Sequence, residues 1–380
     1  MSKEYKDEIN KKALLKTKEI YTLLPDYVVS ALRSRENVIS EKTSLAYAQD
    51  LLLFCKYLKK CCEKREFTVF TRTYQQINKE NYNWEELENI ISEANNREIK
   101  ELPLTLFRIL KPDDIVNYLS YLSFYIDENG KERKNGKEAK KRKLSSIREV
   151  YKYFCLCDYM QNNPAALVAT PVEKQKKEIR VLSYDEKSAI LESMLAPTDI
   201  SKKEQEMNEL LKERDLTILL LFLSTGIRLS ELVSLDISDI NIERSYFHVL
   251  GKGGKYKVHY FNDQCKEYLK AYLYHHRDKV NPKADENAFF LSRRGTRISI
   301  RSVEYMISKY SERALGKDLK ISPHKLRSTY GTDLLRITGD IALVSENLSH
   351  SDISTTKRYY AKINEDILRK NKDFPTLELK

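Results

Sequence analysis

The residues of this chain best suited to chemistry are one tyrosine and a set of cationic or imidazole side chains. Tyr359 stands nine residues after His350 and next to Arg358. A phenol has a pKa of about 10 and attacks poorly at neutral pH unless neighbouring cations stabilise its phenolate or a base takes its proton. The upstream candidates are, in order, Arg228, Lys252, His324, Arg327 and His350. Together they predict a cationic pocket that breaks a DNA phosphodiester by covalent attack, without a metal.

The arginines and the lysine have separate uses in such a pocket. Two guanidinium groups can bind the non-bridging phosphate oxygens and stabilise the extra charge of a pentacoordinate transition state. An ammonium group can protonate the oxygen that leaves. Ordinary alternatives exist for each residue alone. Arg228 can be a surface arginine paired with Glu231, and Lys252 can be a solvated turn lysine. Lys255 and Lys257 are near competitors for the role of Lys252.

His324 and Arg327 are predicted to lie on one face at the start of a helix. Ser322 is a suitable N-cap, and Pro323 suits the first turn. A spacing of three residues places the two side chains on the same side of a helix. Their position near the positive end of the helix dipole favours a phosphate oxygen. By itself, an HxxR pair also occurs on ordinary solvated helix faces.

The predicted elements that position these residues lie in a second half of mixed helices and strands, which follows a mostly helical first half. Apolar periodicity and capping residues predict helices at about 40–60, 85–94, 112–125 and 141–158, and after residue 180 at about 214–223, 264–278, 300–314, 323–336 and 340–348. Two strands, 246–250 and 256–261, are joined by a glycine-rich turn and predict a β-hairpin.

A charged stretch without an apolar cluster divides the chain. It follows Asn163-Pro-Ala-Ala and predicts a linker at residues 171–180. The predicted fold is mainly α with a small β-hairpin or sheet (α+β). We expect a helical N-terminal domain at 1–170 and a catalytic domain at 181–380, which together close around DNA as a two-domain clamp.

The charge of the chain favours an anionic partner. The 380 residues carry a formal net charge of +11 spread along the sequence, which favours double-stranded DNA. No segment approaches the roughly 18 to 20 apolar residues of a membrane span, so we expect no membrane partner. The N-terminus alternates charges without an apolar stretch, so we expect a cytoplasmic protein.

The spacing of cysteines and histidines favours neither a metal site nor a disulfide framework. Six cysteines and six histidines are scattered, and no two CxxC pairs face each other in sequence. Reduced thiols and no cofactor or metal are therefore expected.

Read as motifs, these segments resemble the tyrosine recombinase family of the phage integrase and Xer kind. Four stretches carry the resemblance in the second half: Thr225-Gly-Ile-Arg228-Leu-Ser-Glu-Leu, Gly251-Lys252-Gly-Gly-Lys, Ser322-Pro-His324-Lys-Leu-Arg327-Ser-Thr, and Leu348-Ser-His350 through Tyr359. The nine-residue step from His350 selects Tyr359 over Tyr360. Ser328 and Ser349 depart from the family, where His and Gly are usual, but neither removes a catalytic group.

The resemblance implies a role for each residue of the pocket. Tyr359 would form a 3′-phosphotyrosine and release a 5′-hydroxyl, with Lys252 as the general acid. The remaining catalytic residues would hold and activate the phosphate; they are Arg228, His324, Arg327 and His350. A 5′-hydroxyl of a partner duplex would then attack the linkage, so no metal or nucleotide is implied.

The first half also resembles the family, in its DNA-binding segments. These are Ser40 through Asp50, Lys141 through Tyr151, and Asn163-Pro-Ala-Ala. Residues 131–143 hold eight Lys or Arg against two Glu and lead into an amphipathic helix, which favours DNA contact over a solvated charge run. The predicted DNA contacts are Thr43, Lys140, Lys141, Arg142, Lys143, Arg148 and, in the second half, Arg301.

The extra N-terminal length resembles the single-protein Xer subtype, XerS. This implies a site-specific recombinase that resolves chromosome dimers at cell division, with a septal DNA translocase as a possible activator. Ile363, Ile367 and Leu368 follow Tyr359 at helical spacing, and such a tail implies a homotetramer on two duplexes. Three alternatives stay open: an integrase of a mobile element, a type IB topoisomerase, and an inactive DNA-binding architectural protein.

Overall fold

The computed structural model describes residues 3–71, 74, 83–172, 180–197, 201–251, 256–283 and 286–348. By its internal contacts the chain separates into two compact units. One unit is Asp7–Lys176, and the other is Lys177–Lys380 together with Met1–Lys6. Helices dominate both units, and the described part of each unit contains one small sheet, which confirms the predicted mainly helical fold with a small hairpin sheet.

The first unit is built from helices around an aromatic core. Its helices are α1 (Lys3–Tyr21, which belongs to this unit from Asp7 onward), α2 (Asp26–Arg33), α3 (Glu41–Lys64), α4 (Trp84–Asn96), α5 (Leu104–Ile109), α6 (Pro112–Tyr121) and α7 (Lys137–Leu156), and its strands are β1 (Tyr125–Ile126) and β2 (Glu132–Arg133). β1 and β2 pair antiparallel between α6 and α7. Phe54, Phe107, Tyr118, Tyr151 and Phe154 are fully buried, and their rings meet at edges or tilted faces, an arrangement that aromatic packing favours.

Local sequence signals explain where the helices of this unit begin and end. The Ser40 side chain accepts a hydrogen bond from the Thr43 backbone N–H and starts α3, which ends where Arg65 takes a left-handed conformation. α7 begins four residues earlier than the prediction, directly after Gly136. The predicted helix at 112–125 ends early, because the chain turns after Leu122 to form β1.

The second unit combines helices with a three-stranded antiparallel sheet. Its helices are α8 (Tyr184–Leu195), α9 (Lys202–Thr225), α10 (Leu229–Leu232), α11 (Asp263–Ala271), α12 (Ile300–Leu315), α13 (Pro323–Thr338) and α14 (Ile341–Asn347), and its strands are β3 (Ile240–Asn241), β4 (Tyr246–Leu250) and β5 (Tyr256–Tyr260). The strand order is β3-β4-β5, and Leu250 pairs with Tyr256 at the end of the predicted hairpin. Apolar side chains of α9, the sheet and α12 form its core.

One predicted helix of the second unit differs in detail. The helix expected at 264–278 is α-helical only to Ala271, and a π turn (Tyr272–His276) and a 3-10 turn (Arg277–Val280) continue it.

Within the described ranges, no helix is long and apolar enough to cross a membrane. All six cysteines carry free thiols.

Candidate active site

The turn between α9 and α10 places Arg228. Apolar residues bury the end of α9, and Gly226 then stops the helix in a left-handed conformation with φ of 61°. A Cβ on Gly226 would lie 2.3 Å from the ring of Tyr330, so a side chain does not fit there. Arg228 follows as the residue that precedes α10, and its side chain extends from the turn into the site.

A buried carboxylate fixes the Arg228 guanidinium. The backbone N–H and Nη1 of Arg228 donate to the two oxygens of Glu231 at 2.9 and 2.8 Å. Burial raises the pKa of Glu231, but these two hydrogen bonds and the charges of Arg228 and Arg327 outweigh it and lower the pKa overall. The alternative that Arg228 pairs with Glu231 is therefore observed, and the pairing orients the arginine for use in the site.

Arg327 reaches the same point from α13. The Ser322 side chain accepts from the Lys325 N–H and caps this helix, with Pro323 in the first turn. Arg327 is only 6% exposed, and its guanidinium donates to the carbonyl oxygens of Gly226 and Leu348. Nη2 of Arg228 donates to the same Leu348 oxygen at 3.2 Å. Two guanidinium groups thus converge on a single acceptor.

His324 lies at the start of α13 but does not share the burial of Arg327. Its side chain is exposed in the first turn of the helix. Among the described residues, His324 makes no side-chain hydrogen bond or ion pair with either arginine. The shared helix spacing therefore does not bring the two side chains into the same contact.

Lys257 on β5 is the lysine that the described structure brings to this site. Its Nζ donates to the Asn347 carbonyl oxygen at 2.8 Å and also to that of Glu346, at the end of α14. Burial, followed by the positive charge of Arg327, lowers the pKa of Lys257 to about 8. By sequence position alone, Lys257 is only a competitor of Lys252.

A buried histidine that is not among the sequence-predicted site residues lies two residues further along β5. His259 is 3% exposed and stacks on Phe247 with ring centroids 5.2 Å apart, and its Nε2 has no hydrogen-bond partner among the residues that the structure describes. Burial and the charge of Lys257 lower its pKa to about 4, so it is neutral at pH 7. Strand alternation places Lys257 and His259 on one face, but the other face carries two tyrosines and Val258 and is the exposed one, so the polarity pattern of the strand carries no signal that the histidine is buried.

The remaining catalytic candidates fall outside the described residues. They are Lys252, His350 and Tyr359, together with the tail after Tyr359. Leu348, whose carbonyl accepts from both arginines, is the last described residue before His350 in the chain. The described residues contain no group of three or more His, Cys, Asp or Glu side chains able to hold a metal ion.

The predicted DNA contacts in the first unit separate into surface and internal residues. Lys143 is buried and pairs with Asp50 at 2.6 Å, while Arg148 donates to the carbonyl oxygens of Ala165 and Val168. These two side chains therefore hold the unit together. The other candidates lie at or near its surface: Thr43, Lys140, Lys141 and Arg142.

Several surface candidates also have local contacts. Lys140 donates to the Ser123 hydroxyl at 2.6 Å, and Arg142 pairs with Asp50 at 2.6 Å while remaining exposed. In the second unit, Arg301 is exposed in the first turn of α12, at the edge of a cavity of about 440 Å³. These positions leave Lys140, Lys141, Arg142 and Arg301 able to meet an outside partner.

Chemically, the site is a cluster of fixed cations around oxygen acceptors. Arg228, Arg327 and Lys257 bind three successive backbone carbonyls, those of residues 346–348. Guanidinium groups held in this way match the oxygens of a phosphate diester and cost little reorganisation when charge develops there. The arrangement suits phosphoryl transfer.

Known proteins resemble this chain over most of its length. The phage integrase family model matches residues 194–366. Tyrosine recombinase XerC of Caldanaerobacter subterraneus subsp. tengcongensis is 31% identical over 325 residues, which cover 84% of this chain and 78% of the relative. Tyrosine recombinase XerS of Streptococcus gordonii is 32% identical over 322 residues, which cover 78% of this chain and 88% of the relative.

A solved structure shares the fold. The post-cleavage crystal structure of XerH site-specific recombinase bound to palindromic difH substrate matches with a TM-score of 0.58. The match covers 94% of this chain and 96% of the other, at 17% sequence identity.

Proposed function

This chain belongs to the tyrosine recombinase family, which cleaves and rejoins DNA through a covalent tyrosine intermediate, and from that premise we propose which of its residues carry the reaction. The phenolic oxygen of Tyr359 attacks the scissile phosphorus and gives its proton to solvent. The bond from phosphorus to the 5′-oxygen breaks, and Lys252 protonates the leaving oxygen. The products are a 3′-phosphotyrosine and a free 5′-hydroxyl. The 5′-hydroxyl of a second duplex then attacks the phosphorus, the bond from phosphorus to the Tyr359 oxygen breaks, and the released tyrosine takes up a proton, which completes strand exchange.

In this proposal the arginines bind the non-bridging oxygens of the phosphate. The observation that carries it is the convergence of Arg228 and Arg327 on one oxygen, that of Leu348. Two guanidinium groups that already share an acceptor are placed to share a phosphate, whose transition state carries more negative charge than its ground state. His324 and His350 complete the hold on the phosphate.

We further propose that both units contact the DNA. Thr43, Lys140, Lys141 and Arg142 at the surface of the first unit supply phosphate contacts, and Arg301 reaches a groove from the second. Residues 1–170 act as the core-binding domain, residues 171–180 as the linker and residues 181–380 as the catalytic domain. Lys143 and Arg148 support the first unit from within.

The cellular role we propose is resolution of chromosome dimers in the cytoplasm at cell division. It is supported by the similarity to Xer recombinases, including an XerS, along most of the chain. The active assembly is a homotetramer on two duplexes, linked through the tail after Tyr359, with a septal DNA translocase as activator. Ile363, Ile367 and Leu368 provide the apolar stripe for that exchange.

Covalent trapping tests the proposed chemistry. Wild type, Tyr359→Phe and Tyr360→Phe are incubated with nicked duplexes that carry candidate chromosomal recombination sites or a random pool, and adducts are resolved on a denaturing gel. We expect a covalent adduct for wild type and Tyr360→Phe and none for Tyr359→Phe. An adduct that persists in Tyr359→Phe contradicts the assignment, and salt-sensitive binding without any adduct favours an inactive DNA-binding protein. The trapped sequence separates a chromosomal site from the ends of a mobile element.

A further inference from the structure

Lys257 connects strand β5 to the end of α14. Lys257 donates from Nζ to the carbonyl oxygens of Glu346 and Asn347, and the Asn347 contact is 2.8 Å long. The two residues are the last of α14, where helix carbonyls lack partners within the helix. A cation at this position also matches the negative end of the helix dipole.

The environment of Lys257 differs from that of a solvated turn lysine. Its side chain is on the inner face of β5, beside the buried His259, while Tyr256 and Tyr260 face outward and are exposed. Charged and titratable groups face it from each neighbouring element: Arg228 and Glu231 on the turn and helix α10, Arg327 on α13, Glu346 on α14 and His259 on β5 itself. The ammonium is therefore part of the charged centre of the unit.

Lys257 contacts the end of α14, which precedes the proposed nucleophile Tyr359 in the sequence. Lys257 binds the carbonyls of residues 346 and 347, and both arginines bind the carbonyl of Leu348. The chain then continues through His350 to Tyr359. The side chain of Lys257 thus joins β5, which follows Lys252 in the sequence, to the end of α14, which precedes His350 and Tyr359 in the sequence.

We propose that Lys257 is a positioning residue for DNA cleavage, which holds β5, the strand that follows Lys252 in the sequence, against the end of α14, which precedes His350 and Tyr359 in the sequence. The proposal rests on the proposed function, in which Tyr359 is the nucleophile and Lys252 the proton donor. It gives Lys257 no contact with the reacting atoms.

The proposal predicts a pH dependence that arises from Lys257. A lysine with a pKa of about 8 is charged at pH 7 and mostly neutral at pH 9, and a neutral amine holds two carbonyls less strongly. Arginine keeps its charge throughout this range. The ratio of the wild-type cleavage rate to that of Lys257→Arg should therefore fall above pH 8, by about tenfold between pH 7 and pH 9.

The experiment measures single-turnover adduct formation on the nicked substrate and, separately, DNA affinity. Lys257→Met should slow cleavage by about tenfold or more at pH 7, the size expected for the loss of a charged hydrogen bond, and leave affinity within about threefold. Lys257→Arg should restore the rate to within about threefold of wild type. Lys266→Met is the matched control, because Lys266 also donates to a backbone carbonyl of the same unit, that of Glu243 at 2.9 Å; its rate should equal that of wild type.

A substrate with sulfur at the 5′-bridging position separates positioning from proton donation. A thiolate leaves without protonation, so this substrate should restore cleavage in Lys252→Ala and leave Lys257→Met slow. Restoration of Lys257→Met would make Lys257 the proton donor and overturn the proposal. An unchanged rate for Lys257→Met, or Lys257→Arg as slow as Lys257→Met, would also overturn it.

The wild-type protein distinguishes failure of the proposed function from failure of the proposal for Lys257. If wild type forms no adduct, or if Tyr359→Phe still forms one, the proposed function fails before Lys257 is at issue. Circular dichroism and thermal unfolding show whether Lys257→Met folds. If it does not, the proposal is tested by the pH dependence of the ratio of the wild-type cleavage rate to the Lys257→Arg cleavage rate. A ratio that stays constant from pH 7 to pH 9 contradicts the proposal.

Discussion

At the scale of single residues, the two arginines are prepared for a phosphate by other groups of the protein. Glu231 fixes Arg228 through two hydrogen bonds, and the carbonyl of Gly226 fixes Arg327. Their guanidinium groups are therefore oriented before a phosphate binds, and the reaction needs little further reorganisation of them. A lysine in either position would keep the charge but lose the planar set of donors.

Replacement of Arg327 by lysine should separate catalysis from DNA binding. Lysine cannot donate to the Gly226 carbonyl and to a phosphate oxygen in the fixed geometry of a guanidinium, so Arg327→Lys should slow adduct formation by about 100-fold or more. Affinity for the uncleaved site should change little. Arg336→Lys on the same helix, at an exposed position, is the control and should cleave like wild type. Equal rates for both variants would contradict a phosphate-binding role of Arg327.

His259 should make the stability of the protein depend on pH. Its pKa is about 4 in the folded state, below that of an ordinary histidine, so between pH 6.5 and pH 4 the unfolded state binds more protons. Its contribution is fully present above about pH 6.5 and is lost as pH falls towards 4, with a total of at most about 3 kcal/mol.

His259→Phe tests this effect, because the ring can still stack on Phe247 while the titratable nitrogen is gone. Urea unfolding at pH 7.5 and pH 5 should show a smaller loss of free energy of unfolding for the variant than for wild type. An identical loss in the two proteins would assign the pH dependence to other groups.

At the scale of elements, the turn between α9 and α10 determines where Arg228 points. The turn works because Gly226 adopts a left-handed conformation and lies against Tyr330 of α13. The same turn offers its carbonyl to Arg327. One glycine thus connects the ends of α9 and α10 with α13, and the position of both arginines depends on it.

Gly226→Ala should destabilise the second unit and impair cleavage. An alanine there combines a strained φ with a methyl group 2.3 Å from the Tyr330 ring, and we expect a loss of about 1 to 3 kcal/mol in the free energy of unfolding. Gly316→Ala is a useful comparison, since φ is also positive there but no atom lies within 4 Å of the added Cβ. Urea unfolding should show the larger loss for Gly226→Ala, and equal losses would mean that Tyr330 contributes nothing.

At the scale of the whole molecule, the lysines that contribute to the net charge of +11 include exposed ones and buried ones, which have different functions. Lys141 is exposed on α7, whereas Lys143 on the same helix is buried against Asp50. Burial raises the pKa of Asp50, and hydrogen bonds and charges from Lys143 and Arg142 oppose that rise. Only the exposed lysine is available to a DNA phosphate.

Substitution of these two lysines should give different results. Lys141→Gln should leave stability unchanged and reduce the slope of log affinity against log salt concentration by about 0.9, the effect of one phosphate contact. Lys143→Met should leave the slope unchanged and lower the free energy of unfolding by about 3 kcal/mol, because it leaves the Asp50 carboxylate buried beside Arg142 alone. DNA titrations at several salt concentrations and urea unfolding measure the two effects. A slope change in Lys143→Met at wild-type stability would restore Lys143 as a DNA contact.

The amino-acid sequence by itself determined those features that depend on local order. Helical periodicity, caps such as Ser40 and Ser322, and the glycine-rich turn after Leu250 predicted most elements, because neighbouring residues decide them. The order of the motifs also identified the family. Boundaries shifted where longer contacts intervened, as at Leu122, where the chain leaves α6 to form β1.

Only the tertiary structure decided which side chains meet. His324 and Arg327 share a helix, yet one is exposed and the other buried, and Lys143 and Arg148 turned inward although their segment is highly charged. Lys257 joined the site because β5 packs near the end of α14, about 90 residues further along the chain. Burial and contacts between distant segments determine which side chains meet, and neither can be read from the spacing of residues in the sequence.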